Sequence, residues 1–260
     1  MASLFIRISE TELAFAQTGQ ESAPGFAFES YHVRPQVSLT VNLREAMNQV
    51  KLLQEPHDKV VVMVNAPVTP VPLVEFQEED VDSLYRFCFA PEEEQRIFYD
   101  SVPASNAVLL FALPEITCRT LEDIFGPVRY ESCLTPVVQH FAHKGLTNTT
   151  GKRMFVYTHD GTIDLIVMED THLVMLNTYQ VRTLTDVAYY ALNLATHVGM
   201  YIQTAPIFVA GLPTLRDPVV EELQKYAERV YPIHPSSEFN RHIVATTEGV
   251  AYDLICGLLN

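Results

Sequence analysis

The start of the chain carries three short runs of apolar residues that predict β-strands. Residues 4–8 and 13–17 flank a polar turn, Ser9-Glu10-Thr11. In residues 26–33, apolar and polar positions alternate as they do in a strand with one buried face. The pattern therefore predicts an antiparallel hairpin followed by a third strand.

An amphipathic helix is predicted to follow the third strand, over residues 42–54. Its apolar residues recur at helical spacing, and Asn42 is placed to cap its N-terminus. Residues 60–64 then form a continuous apolar run, which is typical of a strand buried on both faces. The first part of the chain thus predicts three strands, a helix and a strand.

The same order of elements returns about 150 residues later. Residues 154–157, 163–168 and 172–179 predict three strands, and Asp160-Gly161 joins the first two. Because a type I′ turn needs a positive φ at both central residues, Asp-Gly between two apolar runs is a strong hairpin signal. The second part of the chain therefore also opens with three antiparallel strands.

A helix is predicted over residues 184–198, with Thr183 or Thr185 as its N-cap, and a buried strand over residues 206–210. The pair Asp217-Pro218 predicts the start of the next helix, because proline fits the first helical turn. Each half therefore gives three strands, a helix, a strand and a helix.

The segment between the two repeats, residues 97–143, predicts two strands, a helix, a short strand and a further helix. Residues 144–152 are polar and contain two glycines, which indicates a domain junction. We therefore expect an N-terminal lobe over residues 1–145 and a C-terminal lobe over residues 150–260.

This duplicated order of elements resembles the actin-like ATPase, or ribonuclease H-like, fold. That resemblance implies an α/β protein of two lobes, each a mixed sheet flanked by helices. Residues 107–141 (AVLLFALPEITCRTLEDIFGPVRYESCLTPVVQHF) are similar to part of the actin-like proteins of type IV pilus and type II secretion platforms. As a whole, the chain resembles a bacterial domain family of unknown role that is assigned this fold.

Actin-like ATPases hold the phosphates of ATP at a glycine-containing turn between the first two strands of each half. In this chain the first such turn, Ser9-Glu10-Thr11, has no glycine and presents a carboxylate. The matching second turn, Asp160-Gly161-Thr162, is contiguous and lacks the spacing residues of the phosphate loop, and the hairpin alone explains its glycine.

The adenosine motif of the superfamily is a buried strand that runs into paired glycines. Here only Gly211 remains in the second half, and Asn65-Ala66-Pro67 at the matching place in the first half has no glycine. The resemblance therefore implies that Asp160, Gly161, Thr162 and Gly211 line the site if a nucleotide is bound. We expect no cofactor otherwise, because a fold does not fix a function.

The charge of the chain restricts its partners. Its 260 residues include 32 acidic and 17 basic side chains, a formal net charge of −15. Nucleic acids and anionic membranes are disfavoured, because binding their phosphates needs a basic surface. The start lacks signal-peptide features, and no apolar run approaches the ~20 residues that span a bilayer. We therefore expect a cytoplasmic protein.

Histidines suggest little chemistry. His140 and His143 are three residues apart on a predicted helix, but a metal site needs a third ligand that the sequence does not indicate. His159 and Asp160 are adjacent, yet neighbouring strand residues point to opposite faces, which argues against an acid–base pair.

Three further segments invite a functional interpretation. The acidic clusters at residues 78–82 and 92–94 fit solvent-facing helix starts more simply than metal sites. Residues 67–76 combine three prolines with apolar side chains, so this segment either covers a sheet edge or docks a partner.

The sequence as a whole predicts a non-catalytic interaction or scaffold module that holds a protein partner in a cleft or at a sheet edge. No catalytic residue is predicted. The main alternative is a divergent ATP-binding protein or phosphotransferase of the actin-like superfamily, which would bind ATP with Mg²⁺. A metal-dependent hydrolase that uses the histidines and acidic clusters is a third possibility.

Overall fold

A computed structural model of the chain describes residues 3–19, 25–90, 93–144 and 151–260. The chain divides into two compact units. The first comprises Met1–Pro67, Gln77–Asp100 and Leu110–Leu134, and the second comprises Val68–Phe76, Ser101–Leu109 and Thr135–Asn260. Most of the predicted junction, residues 145–150, lies outside the described residues, and the predicted lobe boundaries stay a prediction.

Strands and helices alternate through the described residues. The strands are β1 (Ser3–Ile8), β2 (Glu12–Thr18), β3 (Phe26–His32), β4 (Lys59–Val64), β5 (Thr69–Pro72), β6 (Gln95–Val102), β7 (Ala107–Pro114), β8 (Val128–Ser132), β9 (Lys152–His159), β10 (Thr162–Glu169), β11 (His172–Gln180), β12 (Ile207–Gly211) and β13 (Val230–Pro232). The α-helices are α1 (Leu39–Gln49), α2 (Val81–Cys88), α3 (Glu115–Phe125), α4 (Leu134–Lys144), α5 (Leu184–His197), α6 (Pro213–Leu223), α7 (Pro235–Glu238), α8 (Ile243–Thr246) and α9 (Tyr252–Leu259). None of these helices has the length and apolar character needed to cross a lipid bilayer.

The five-stranded sheet of the first unit has the order β3-β2-β1-β4-β8. β2 is antiparallel to both of its neighbours, whereas β1, β4 and β8 are mutually parallel. β2 and β4 are buried along most of their length, as their apolar runs predict. The short strand predicted over residues 128–130 is confirmed as part of β8, which follows α3 and completes this sheet.

The second unit repeats the same sheet, with the order β11-β10-β9-β12-β13. Asp160 and Gly161 have φ angles of 47° and 74°, so the predicted hairpin turn is confirmed. One backbone hydrogen bond recurs in both sheets: the amide of Val33 donates to Thr11, and the amide of Val181 donates to Gly161, each at 3.0 Å. The predicted duplicated α/β architecture is confirmed.

The core of the second unit lies between its sheet and two helices. Apolar side chains of β9, β10 and β12 pack with those of α5 and α6. On α4, Phe141 stacks on Phe155 of β9 with ring centroids 4.0 Å apart. By its packing, α4 therefore groups with the second unit.

A third sheet, with the order β5-β7-β6, contains the proline-rich segment. β5 is an end strand of this sheet, and Val68 before it is buried. Prolines are tolerated in such a strand, because its outer edge needs no amide donors. The docking interpretation of residues 67–76 stays a prediction.

The structure settles three predicted helix starts. α5 begins with a capping box in which Thr183 and Asp186 bond each other's backbone amides, so Thr183 and not Thr185 is the cap. The cap of α1 is Ser38 rather than Asn42, which lies inside the helix. α6 starts at Pro213 and contains Pro218, because the chain turns immediately after β12 and the earlier proline takes the first turn.

Candidate functional site

A cavity of about 770 Å³ opens at one end of the sheet of the first unit. It lies at the carboxyl ends of the parallel strands β1 and β4, marked by Ile8 and Val64. The loop between β3 and α1 forms a second wall. Tyr85, Cys88 and Phe89, at the end of α2, form a third. Burial raises the pKa of the Tyr85 phenol, so this side chain stays neutral.

The turn after β1 reaches this cavity and is built without glycine. Neither Glu10 nor Thr11 has a positive φ, so L side chains fit both positions. The amide of Ser9 donates to the carbonyl of Glu12 at 3.0 Å, and Ser9 Oγ accepts the amide of Glu12 at 3.1 Å. These two amides are therefore occupied within the turn and are not presented to a ligand.

Asn42 fixes the second wall of the cavity. Its side chain is fully buried and accepts the amide of Arg34 at 2.8 Å. Its Nδ2 lies 3.1–3.3 Å from the carbonyl oxygens of Arg34, Val37 and Ser38. The Asn42 side chain thus forms hydrogen bonds with several backbone groups of this loop, in which Pro35 and Val37 line the cavity.

The cavity lining is mostly apolar and carries one carboxylate. Its polar members are Ser9, Glu10, Asn65 and Gln95, and no Lys, Arg or His side chain of the described residues lines it. Glu10 is exposed and has no ion-pair partner among the described residues. Gln95 Oε1 is buried without a hydrogen-bond donor. The cavity therefore offers one carboxylate and few other polar groups among apolar surfaces, a poor match for a polyphosphate.

The four residues predicted to line a nucleotide site lie in the second unit. Asp160 and Gly161 form the β9–β10 turn, and Thr162 Oγ1 donates to the carbonyl of His159 at 2.9 Å. Gly161 and Thr162 border a small cavity of about 320 Å³ beside the start of α5. Gly211 borders a different cavity, so the structure does not bring all four to one pocket.

The cavity beside Gly211 has a volume of about 660 Å³. Arg216 and His234 supply basic side chains, and Glu248 an acidic one. The Arg216 guanidinium is already engaged, because Nε donates to Asp217 at 2.7 Å and Nη1 donates to the carbonyl of Ile233 at 2.7 Å.

His159 lies buried between two carboxylates. Its Nδ1 is 3.3 Å from Asp160 Oδ2, and its Nε2 is 2.5 Å from Asp164 Oδ2. Asp164 also accepts a hydrogen bond from Thr178 on the neighbouring strand, at 2.5 Å. The expectation that His159 and Asp160 point apart is wrong, because Asp160 belongs to the turn and not to the strand.

Two other candidate groups, His140 and Asp82, have structural partners. His140 Nε2 lies 3.3 Å from Glu238, and Nδ1 lies 3.1 Å from Asn260. Asp82, in the first acidic cluster, accepts two hydrogen bonds from Arg86 Nε at 2.9 Å. Across the described ranges, no group of three or more His, Cys, Asp or Glu side chains is arranged to hold a metal ion.

Sequence reasoning did not find the cavity itself. It noted Glu10 and the segment around Asn65, but not the loop after β3, the end of α2 or Gln95. One local signal was present: Ser38, four residues before Asn42, can also cap a helix. If Ser38 is the cap, then Asn42 lies inside the helix and its side chain is available for another role.

Comparison with known proteins gives this chain a family. The sequence pattern of a protein family of unknown function, DUF3822, matches residues 1–230. The chain belongs to the DUF3822 family. No curated protein matches it.

Solved structures similar to this DUF3822 protein show its fold. A Bacteroides thetaiotaomicron protein with an actin-like ATPase fold and unknown function matches with a TM-score of 0.81 and 21% identity, over 95% of this chain and 96% of that chain. The PilM-PilN type IV pilus biogenesis complex matches with a TM-score of 0.58 and 13% identity, over 99% and 97%. The resemblance to the actin-like fold is thereby confirmed.

Proposed function

We propose that this DUF3822 protein is a non-catalytic, cytoplasmic interaction module that holds an extended segment of a protein partner. The observation that carries the proposal is the cavity of the first unit, which is apolar and bears Glu10 on a turn without glycine. In an actin-like ATPase this turn would face phosphates, whereas a carboxylate there repels them.

The lining specifies the chemistry of the partner segment. Its apolar walls favour aliphatic or aromatic side chains, since their burial is the main source of affinity. The Glu10 carboxylate favours a cation, so a lysine or arginine belongs beside the apolar anchors. A volume of about 770 Å³ also falls within the usual range of ligand cavities, about 300–1,000 Å³.

A structural neighbour supports a protein partner. The matched PilM structure is a complex with PilN, so a protein of this fold is found bound to another protein. Because the identity is 13%, that similarity shows a shared fold only. For this chain, the proposal of a protein partner is based on the chemistry of the cavity.

Peptide selection tests the proposal directly. Twelve-residue peptides from a random library are selected for binding to the immobilised full chain, and the dissociation constants of the selected peptides are measured by fluorescence anisotropy. We expect the selected peptides to combine apolar residues with lysine or arginine. Glu10→Lys should weaken them about tenfold or more, because it places two like charges together. Glu221→Lys makes the same charge change on an exposed position of α6 and should have no effect.

Cys88 provides an independent readout of the same cavity. It is the exposed cysteine of the four, whereas Cys118, Cys133 and Cys256 are buried, and burial raises the pKa of Cys118 to about 11. A bulky maleimide on Cys88 should block the selected peptides, and bound peptide should slow the labelling. Absence of any selected binder, or binders indifferent to both changes, would overturn the proposal.

The nucleotide alternative has its own result. Gly211 borders a cavity with Arg216 and His234, which favours an anionic ligand in the second unit. MgATP at a hundred times its Kd would add about 2.7 kcal/mol of stability and raise the Tm. A rise that Asp160→Ala abolishes would replace the interaction module with an ATP-binding protein.

A further inference from the structure

The strand β3 presents an open edge at the end of the first sheet. Among the strands that the structure describes, it pairs with β2 alone, in an unbroken register from Glu12–His32 to Thr18–Phe26. Its seven residues contain neither proline nor lysine, the residues that usually protect a strand edge. An edge of this kind is a template for another strand.

Three other end strands of the described sheets, β8, β13 and β5, are protected. On β8, the amide of Ser132 is occupied by the Asp100 carboxylate at 2.8 Å. β13 has three residues and ends in Pro232, and β5 contains Pro70 and Pro72. β3 lacks protection of this kind, and it is the end strand that lies in the sheet of the cavity.

The hydrogen bonds of β3 show which of its groups face outward. The amide of Val33 donates to Thr11 in the β2 hairpin, and Gly25 accepts from Gly19, so odd-numbered residues face β2. The alternation of a strand then turns the N–H and C=O groups of Phe28, Ser30 and His32 away from β2.

The open edge leads directly to the cavity. β3 is antiparallel to β2, and β2 is antiparallel to β1, so β3 runs in the direction of β1 and β4. Its carboxyl end therefore lies at the same end of the sheet as the cavity, and Val33, the next residue, lines it. A segment that leaves the cavity past Val33 meets the outward groups of β3.

We infer that the partner segment held in the cavity continues along β3 as an added strand. This inference rests on the proposed function. The occupant is a basic, apolar peptide and not a second copy of this chain, because a net charge of −15 on each copy opposes self-pairing, whereas Glu10 favours a cation.

The variant Ser30→Pro tests the strand addition. Proline removes an outward N–H and leaves the bonds to β2 intact, whereas Ser30→Ala keeps that N–H and is the matched control. With the selected peptides, we expect Ser30→Pro to raise the dissociation constant about tenfold or more. Ser30→Ala should leave it unchanged.

Amide hydrogen exchange of the wild-type chain gives a measurement that needs no variant. Bound peptide should slow exchange at Phe28, Ser30 and His32, while Glu29 and Tyr31 are already protected by β2. Some selected peptides could lose affinity in Glu10→Lys, yet bind Ser30→Pro as tightly as the wild type and leave exchange at these three amides unchanged. That result would overturn the strand addition but not the proposed function. A dimer in sedimentation that Ser30→Pro dissolves would also overturn it, because a second copy would then hold the edge.

Discussion

The carbonyl oxygen of Thr158 lies 2.4 Å from the position that a Cβ on residue 211 would occupy. Thr158 Cγ2 lies 2.7 Å from the same position, and Gly211 has a φ of 136°, a conformation that L residues rarely adopt. Packing of β12 against β9 therefore requires this glycine whether or not a nucleotide binds. The retained Gly211 is explained by the sheet alone.

Gly211→Ala is accordingly expected to lower the free energy of unfolding by about 3 kcal/mol, from backbone strain and overlap together. Urea denaturation measures the change. Gly161→Ala is the control: its φ is also positive, but no atom lies within 4 Å of the added Cβ, so about 1 kcal/mol is expected. Equal losses in the two variants would contradict the close approach of Thr158.

Asn42→Ala should destabilise the first unit by about 2–4 kcal/mol, because it removes a buried amide that bonds the backbone of Arg34, Val37 and Ser38. Denaturant unfolding gives the value, and selected peptides should also bind more weakly, since the cavity wall loosens. Asn48, exposed on the same helix, bonds only its own helix, and Asn48→Ala should change stability by less than about 0.5 kcal/mol.

Thr183→Ala should cost about 1 kcal/mol, because Thr183 Oγ1 accepts the amide of Asp186 at 3.2 Å at the start of α5. Thermal unfolding is the measurement. Thr185→Ala, two residues later on an exposed helical position, should be neutral. The reverse ranking would return the cap to Thr185.

Arg96 gives the first unit a specific acid sensitivity. Its guanidinium donates two 2.9 Å hydrogen bonds to Glu115, which with Arg119 lowers the pKa of that carboxyl from 4.5 to about 2. A carboxyl with a lowered folded pKa contributes stability above its unfolded pKa, and that contribution is lost as the pH falls toward 2.

Arg96→Met should therefore reduce the loss of stability between pH 4.5 and about 2, relative to the wild type. Unfolding at a series of pH values measures the slope. Arg86→Met removes an exposed pair with Asp82 and should leave the slope unchanged. An unaltered slope in Arg96→Met would contradict the role of this guanidinium.

The sequence correctly predicted the elements that depend on neighbouring residues only. The Asp160-Gly161 turn follows from its φ requirement, and the buried runs of β1 and β4 follow from composition. The start of α6 was mispredicted because either Pro213 or Pro218 could occupy the first helical turn. The helix begins at Pro213, the proline nearer to the end of β12 at Gly211. The strand over residues 128–130 was predicted, but its pairing with β4 is a long-range contact that no periodicity records.

The candidate site was even less accessible to the sequence. Its walls come from a loop after β3, the end of α2 and Gln95, which are far apart in the chain and meet only through the sheet. Glu10 could be read from its place in the turn, but its isolation from any counter-ion depends on what surrounds it in space.

The bonds from Val33 to Thr11 and from Val181 to Gly161 tie the residue after the third strand to the turn between the first two strands in both sheets, although one turn has three residues and the other two. The strand arrangement of each half therefore does not depend on which residues form the turn between its first two strands. A turn without glycine that carries a carboxylate and a turn that contains glycine therefore fit the same order of strands. The architecture separates the strand pairing, which both halves share, from the turn residues, in which the two halves differ and which a ligand would meet.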